Sequence, residues 1–252
     1  MKARAVHAPA LAEANGSSLF LLACAWAVHL YTALGAVFGV LAIRSAAIGN
    51  YRASFIAMAV TIIIDSSDGT LARLVNVKKR VPGFDGALLD NIVDYFTYVV
   101  APVFLMICAG LVVGTIGLAV AGFVLIASAY QFCQTDAKTP DHFFLGFPSY
   151  WNLVVFYLYC WNWGALANEL ILTLLSVMVF VPIKYIYPSR TEVLRPVTLT
   201  LAITWGIIAF VMLLLLPEVN QVLLDLSLIY IVYYFFASFA LHARAVMMAQ
   251  PS

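Results

Sequence analysis

Apolar stretches about twenty residues long, the length needed to cross the ~30 Å hydrocarbon core of a bilayer, can be placed eight times along this chain. They cover approximately 22–43, 53–73, 86–109, 113–132, 149–164, 166–187, 197–216 and 222–242. With 64% hydrophobic and 10% charged residues, a chain of 252 residues is too apolar to fold as a soluble domain. The reading is an all-α, polytopic membrane bundle of about eight transmembrane helices, since in lipid only helices and closed barrels satisfy every backbone polar group. The fifth and sixth stretches are separated only around Trp163 and Gly164, and the third and fourth by an uncharged turn at Gly110, so tight hairpins are expected. No internal repeat, low-complexity tract or long linker interrupts the pattern, which gives a single membrane domain over 1–252.

Orientation follows from the basic residues, which are held on the cytoplasmic side. With the N-terminus inside, eleven of thirteen become cytoplasmic: Lys2, Arg4, Arg73, Lys78, Lys79, Arg80, Lys138, Lys184, Arg190, Arg195 and Arg244. Only Arg44 and Arg52 then lie outside, so an N-in, C-in topology is expected. Residues 1–21 form a cytoplasmic leader, and 5–21 read equally as an amphipathic surface helix or an unstructured lead-in. A net charge of +1 with no basic stripe gives no case for nucleic acid. Cys24, Cys108, Cys133 and Cys160 are scattered, without metal or disulfide spacing.

Against this apolar background, residues 65–94 hold five of the eight aspartates in the pattern D-x-x-D-G-x-x-A-R, twelve residues, G-x-x-x-D-x-x-x-D. Each carboxylate placed in lipid costs about 2.5 to 3.5 kcal/mol, so a cluster of them implies a bound cation. Helical spacing puts Asp65, Asp68 and Ala72 on one face of the second stretch, and Gly86, Asp90 and Asp94 on one face of the third. Two such faces can present four carboxylates to one cavity, and hard oxygen ligands suit magnesium or manganese. Gly69 and Gly86 fit either close approach of a ligand or close helix packing. Arg73, at the membrane edge, can reach a phosphate or lipid headgroups.

The residues Asp65, Asp68, Gly69, Ala72, Arg73, Gly86, Asp90 and Asp94, in that order, resemble the signature of the CDP-alcohol phosphotransferases, integral membrane enzymes of phospholipid synthesis. The twelve residues between Arg73 and Gly86 are more than the general pattern carries. That spacer, running on as P-G-F-D-G-A-L-L-D-N-I-V-D-Y, is similar to the bacterial branch of the family that uses choline. So are H-L-Y-T-A-L-G from His29, F-F-L-G-F-P-S-Y-W-N from Phe143 and K-Y-I-Y-P-S-R from Lys184.

The resemblance implies a six-helix catalytic core, with the last two helices supporting it or meeting a second copy in a homodimer. It implies two divalent cations, Mn2+ or Mg2+, held by Asp65, Asp68, Asp90 and Asp94, with Asp94 also the general base. Asp68, Gly69, Ala72, Arg73 and Gly86 would accommodate the nucleotide of CDP-diacylglycerol. The implied reaction moves the phosphatidyl group to choline and releases CMP at the cytoplasmic face of a bacterial inner membrane. Serine, glycerol phosphate or an inositol derivative are the alternative acceptors, and a cation-coupled transporter is the alternative from another class.

A quaternary ammonium has no N–H and donates no hydrogen bond, so aromatic faces and carboxylates are the expected devices for choline. The candidates are His29, Tyr31, Tyr95, Tyr98, Asp141, Tyr150 and Trp151, with Tyr95 and Tyr150 ranked first. Lys184 and Arg190 are candidates for the lipid phosphate, and Pro182 for a kink that opens a groove to the acyl chains. Glu169, Glu218 and Asp225 read as solvated helix ends, and His142 and His242 as isolated side chains.

Overall fold

The structure, a computed structural model, describes residues 8–188 and 190–249; Lys2, Arg4 and Ser189 lie outside the described residues. Helix α1 (Ala8–Ala47) turns at Gly49 into α2 (Tyr51–Val75), and a short α3 (Val77–Arg80) leads to α4 (Gly86–Asp94). A π-helical segment, Tyr95–Val100, joins α4 to α5 (Ala101–Cys108). Then come α6 (Gly114–Cys133), strand β1 (Phe143–Leu145), α7 (Trp151–Trp161), α8 (Ala165–Phe180), strand β2 (Lys184–Ile186), α9 (Arg195–Leu215) and α10 (Gln221–Ala249).

Among the described residues, six helical stretches are long and apolar enough to cross a membrane: Ser18–Ala47, Tyr51–Val75, Gly86–Cys108, Gly114–Cys133, Arg195–Leu215 and Gln221–Met248. They make the expected all-α polytopic bundle. Residues 8–17, placed in the leader by sequence, continue α1 without a break. On α9 the exposed Ile203, Ile207, Phe210 and Leu214 recur at helical spacing, as a lipid-facing stripe does.

The fifth and sixth stretches depart from expectation. The eleven residues of α7 reach only ~16 Å, about half of a bilayer core. Gly146 at φ +79° and Pro148 keep the chain before α7 out of helix, while Asn162 and Gly164, both at positive φ, turn it straight into α8. After α8 the chain runs extended into β2, so Pro182 marks a helix stop where a kink was expected. The pairing of β1 with β2 was not anticipated: Phe143 faces Ile186, Phe144 faces Tyr185 and Leu145 faces Lys184, antiparallel.

That two-stranded sheet is too small to hold itself, and α10 supports its edge. The Ile186 N–H donates to Ser238 Oγ (3.0 Å) and the Lys184 N–H to His242 Nδ1 (3.3 Å). The 134–150 segment is likewise stitched to α6 and α8, with Gln131 Nε2 donating to Leu145 O and Phe147 N to Met178 O. At the opposite end Glu169 is buried, correcting its reading as a solvated end: its Oε1 accepts from Val113 N (3.1 Å) and fixes the α5–α6 turn. Helix α1 lies close on α4 and the π segment because Gly35 and Gly39 present no side chain; a Cβ there would meet Val93 and Phe96 at 2.7 and 2.6 Å.

Candidate active site

Local sequence accounts for how the aspartates are delivered. Asn50 accepts from Ala53 N and caps α2, and Asp85 accepts from Ala87 N and Leu88 N and caps α4. Asp85 thereby gains a structural role, and the other four aspartates of the stretch are left to the site. Asp65 and Asp68 are carried by α2, and Asp90 and Asp94 by α4.

Asp65, Asp68 and Asp90 each offer an oxygen within 4.8 Å of the others. Two hydroxyls orient them: Thr32 Oγ1 on α1 donates to Asp68 Oδ2 (2.7 Å), and Tyr98 Oη on the π segment donates to Asp65 Oδ2 (2.7 Å). Each of these carboxylates keeps a second oxygen, and three hard donors converging from two helices fit a divalent cation such as Mg2+ or Mn2+. Asp94 stands one helical turn beyond Asp90, beside the three and not within that group.

Two cavities meet at Asp90 and Ala87, which line both. The first, about 960 Å3, takes in Asp68, Gly69, Ala72, Arg73 and Gly86, the full set expected for a nucleotide, together with Lys78, Lys79 and Arg190. Gly69 leaves open space apart from Arg73 Nη1, 3.5 Å from where a Cβ would sit, which suits ligand approach. Gly86 is different: a Cβ would strike His29 Cε1 at 2.6 Å, so packing of α1 on α4 requires it. His29 also lines this first cavity, against Phe84 at 4.4 Å between ring centroids, on the nucleotide side and apart from the other choline candidates.

The second cavity, about 520 Å3, is lined by Asp65, Asp90 and Asp94 and by Tyr98, Phe144, Tyr150 and Tyr187, with Lys138 at its rim loop. Tyr150, ranked among the first choline candidates, lines this cavity. Tyr95 is not among the lining residues; its hydroxyl donates to Leu125 O and its ring packs on Phe132. Asp141 and Lys184 pair with each other at 2.6 Å, lining neither cavity, and of the two phosphate candidates only Arg190 reaches one. Trp151 is fully buried, donating to Ser128 Oγ, and Tyr31 bonds Ser67. Sequence reasoning missed Thr32, Phe144 and Tyr187, although all three fall inside segments that had stood out by resemblance.

No family model matches the chain. Individual relatives do. A phosphatidylcholine synthase of Legionella pneumophila is 45% identical over 222 residues, covering 85% of this chain and 87% of the relative. Those of Legionella bozemanae and Borreliella burgdorferi are 46% and 40% identical, each over 72% of this chain and covering 87% and 78% of the relative. The chain belongs to the phosphatidylcholine synthase family. The match spans most of the chain, so the two cavities and the aspartates between them lie within a fold shared with enzymes of that name.

Proposed function

We propose that this protein transfers the phosphatidyl group of CDP-diacylglycerol to choline, forming phosphatidylcholine and CMP, in a bacterial inner membrane with the site facing the cytoplasm. The observation that carries the proposal is the pair of cavities joined at Asp90 and Ala87: one holds four basic side chains, Arg73, Lys78, Lys79 and Arg190, beside Asp68, Asp85 and Gly69, and the other is acidic and aromatic. An anionic nucleotide lipid suits the first, with Arg73 and Arg190 on its phosphates and Gly69 and Ala72 admitting the nucleotide. A cationic alcohol suits the second.

Asp65, Asp68 and Asp90 would hold the divalent cations, with Asp94 adjacent. Bound there, Mg2+ or Mn2+ would supply charge neutralisation on the diphosphate and make CMP a competent leaving group. Thr32 and Tyr98 keep the carboxylates oriented, and the walls of the two cavities position donor and acceptor on either side of Asp90. Asp94 takes the proton of the choline hydroxyl as its oxygen attacks the phosphatidyl phosphorus, and the bond from that phosphorus to CMP breaks. Only transfer to an alcohol is needed, with no redox partner.

Incubating the purified protein with CDP-diacylglycerol and each labelled acceptor in turn tests the assignment. Label from choline is expected in the lipid fraction, with little from serine, glycerol phosphate or inositol. Lipid labelled by one of those alcohols and not by choline would overturn it.

A further inference from the structure

Beside Tyr98 and Tyr150, the second cavity is lined by Phe144 and Tyr187, aromatic side chains that were not among the choline candidates. Phe144 and Tyr150 stand at 87° with centroids 6.1 Å apart, forming a corner of two perpendicular walls. Tyr187 extends one wall, 4.5 Å from Phe144 at 29°, and Tyr98 extends the other, 6.4 Å from Tyr150. All four residues line the cavity with Asp65, Asp90 and Asp94, and Lys138 is the single cationic residue among the lining groups. The four come from separate places in the chain: the π segment, β1, the residue before α7 and the residue after β2. Pairing of β1 with β2, held by Ser238 and His242 of α10, is what brings Phe144 and Tyr187 together.

We infer that Tyr98, Phe144, Tyr150 and Tyr187 form an aromatic cage for a quaternary ammonium group, with Phe144 and Tyr187 setting acceptor specificity. The inference rests on the transferase reading and names the acceptor subsite of that same site. A trimethylammonium head has no N–H to give, and aromatic faces attract it without hydrogen bonds. Lys138 is the one cationic side chain lining the cavity, so an anionic acceptor has a single protein partner there, while the aromatic faces suit a cation. The Tyr98 hydrogen bond to Asp65 ties one wall of the cage to the carboxylate cluster. Only two carbons separate the nitrogen of choline from its hydroxyl, so an ammonium seated on these walls leaves that hydroxyl beside Asp94.

The test is steady-state CMP release by full-length wild type, Phe144→Leu, Tyr187→Leu and Tyr187→Phe, with choline and with its uncharged carbon isostere 3,3-dimethylbutanol. Phe144→Leu and Tyr187→Leu should each raise the choline KM about tenfold, equivalent to ~1.4 kcal/mol of lost cation–π attraction. The preference of the wild type for choline over the isostere should shrink by a similar factor. Tyr187→Phe, which keeps the ring, should behave as wild type, and the KM for CDP-diacylglycerol, which reports intact folding, should stay within about twofold. A wild type active on choline whose leucine variants keep both the choline KM and the preference overturns the cage and leaves the transfer reaction standing. A wild type that releases CMP with other alcohols and none with choline overturns the transfer to choline, and the cage with it.

Discussion

Among single residues, two hydroxyls hold the carboxylates of the cluster, Thr32 on Asp68 and Tyr98 on Asp65. Thr32 lies on α1, outside the aspartate motif, yet its Oγ1 is a 2.7 Å donor to Asp68. Removing a group that orients a metal ligand commonly weakens metal binding by about 10- to 100-fold. Thr32→Val, which keeps the shape and loses the donor, should therefore raise the metal concentration for half-maximal activity by at least about tenfold, as a titration of CMP release against Mg2+ or Mn2+ would record. An unchanged titration would assign Thr32 to packing alone. The aspartates themselves were legible in the sequence, because carboxylates at helical spacing in apolar stretches are too costly to persist without a bound partner. Thr32 was not: a threonine in an apolar helix carries no signal until α1 is laid against α2. The same holds for Gly86, whose absent side chain makes room for His29.

Among the elements, the six membrane-length helical stretches could be read from length and hydropathy, while the segment between α6 and α9 could not. The aromatic run of α7 has the composition of a span but too few residues, and its shortfall is filled by irregular chain and a two-stranded sheet. Such a sheet forms between residues some forty positions apart, so local periodicity carries no trace of it. Its edge depends on α10. Ser238 is fully buried, and Ser238→Ala would leave the Ile186 N–H without its acceptor. The expected cost is about 1 to 3 kcal/mol, the range for a buried unsatisfied polar group, read as a lower unfolding temperature in detergent. The Asp141–Lys184 pair at the start of β2 is largely solvent-exposed and contributes less, about 0.2 to 1 kcal/mol on the ordinary scale of surface pairs. Burial is the largest single influence on the Asp141 carboxyl and pushes it up, but hydrogen bonds from Lys184 and Thr139 and the charge of Lys184 together outweigh it and hold the group below its usual value. A lowered carboxyl stabilises the fold above its unfolded-state pKa and loses that contribution as pH falls through the folded value. Asp141→Asn should accordingly be slightly less stable than wild type at neutral pH, with the gap closing in acid below the usual carboxylate range.

Across the molecule as a whole, the carboxylates, both cavities, the α6–α7 segment and the sheet gather at one end of the bundle, with the Lys78–Arg80 cluster beside them. Arg44 and Arg52 flank the α1–α2 turn at the other end. An inward-facing site then requires Lys79 to be cytoplasmic and Ile48 to be external. In a background with the four cysteines replaced, Ile48→Cys in intact cells should react with a membrane-impermeant maleimide and Lys79→Cys should react only after lysis; the reverse pattern would invert the topology. The proposed reaction is a metal-dependent transfer to choline by the carboxylates from Asp65 to Asp94, and CMP release by purified wild type and Asp94→Asn is its decisive assay. Wild type, after exhaustive chelation, should release CMP only when both choline and Mg2+ or Mn2+ are restored, and Asp94→Asn should bind CDP-diacylglycerol yet release almost none. Full CMP release by the chelated wild type, or normal release by Asp94→Asn, would contradict that mechanism.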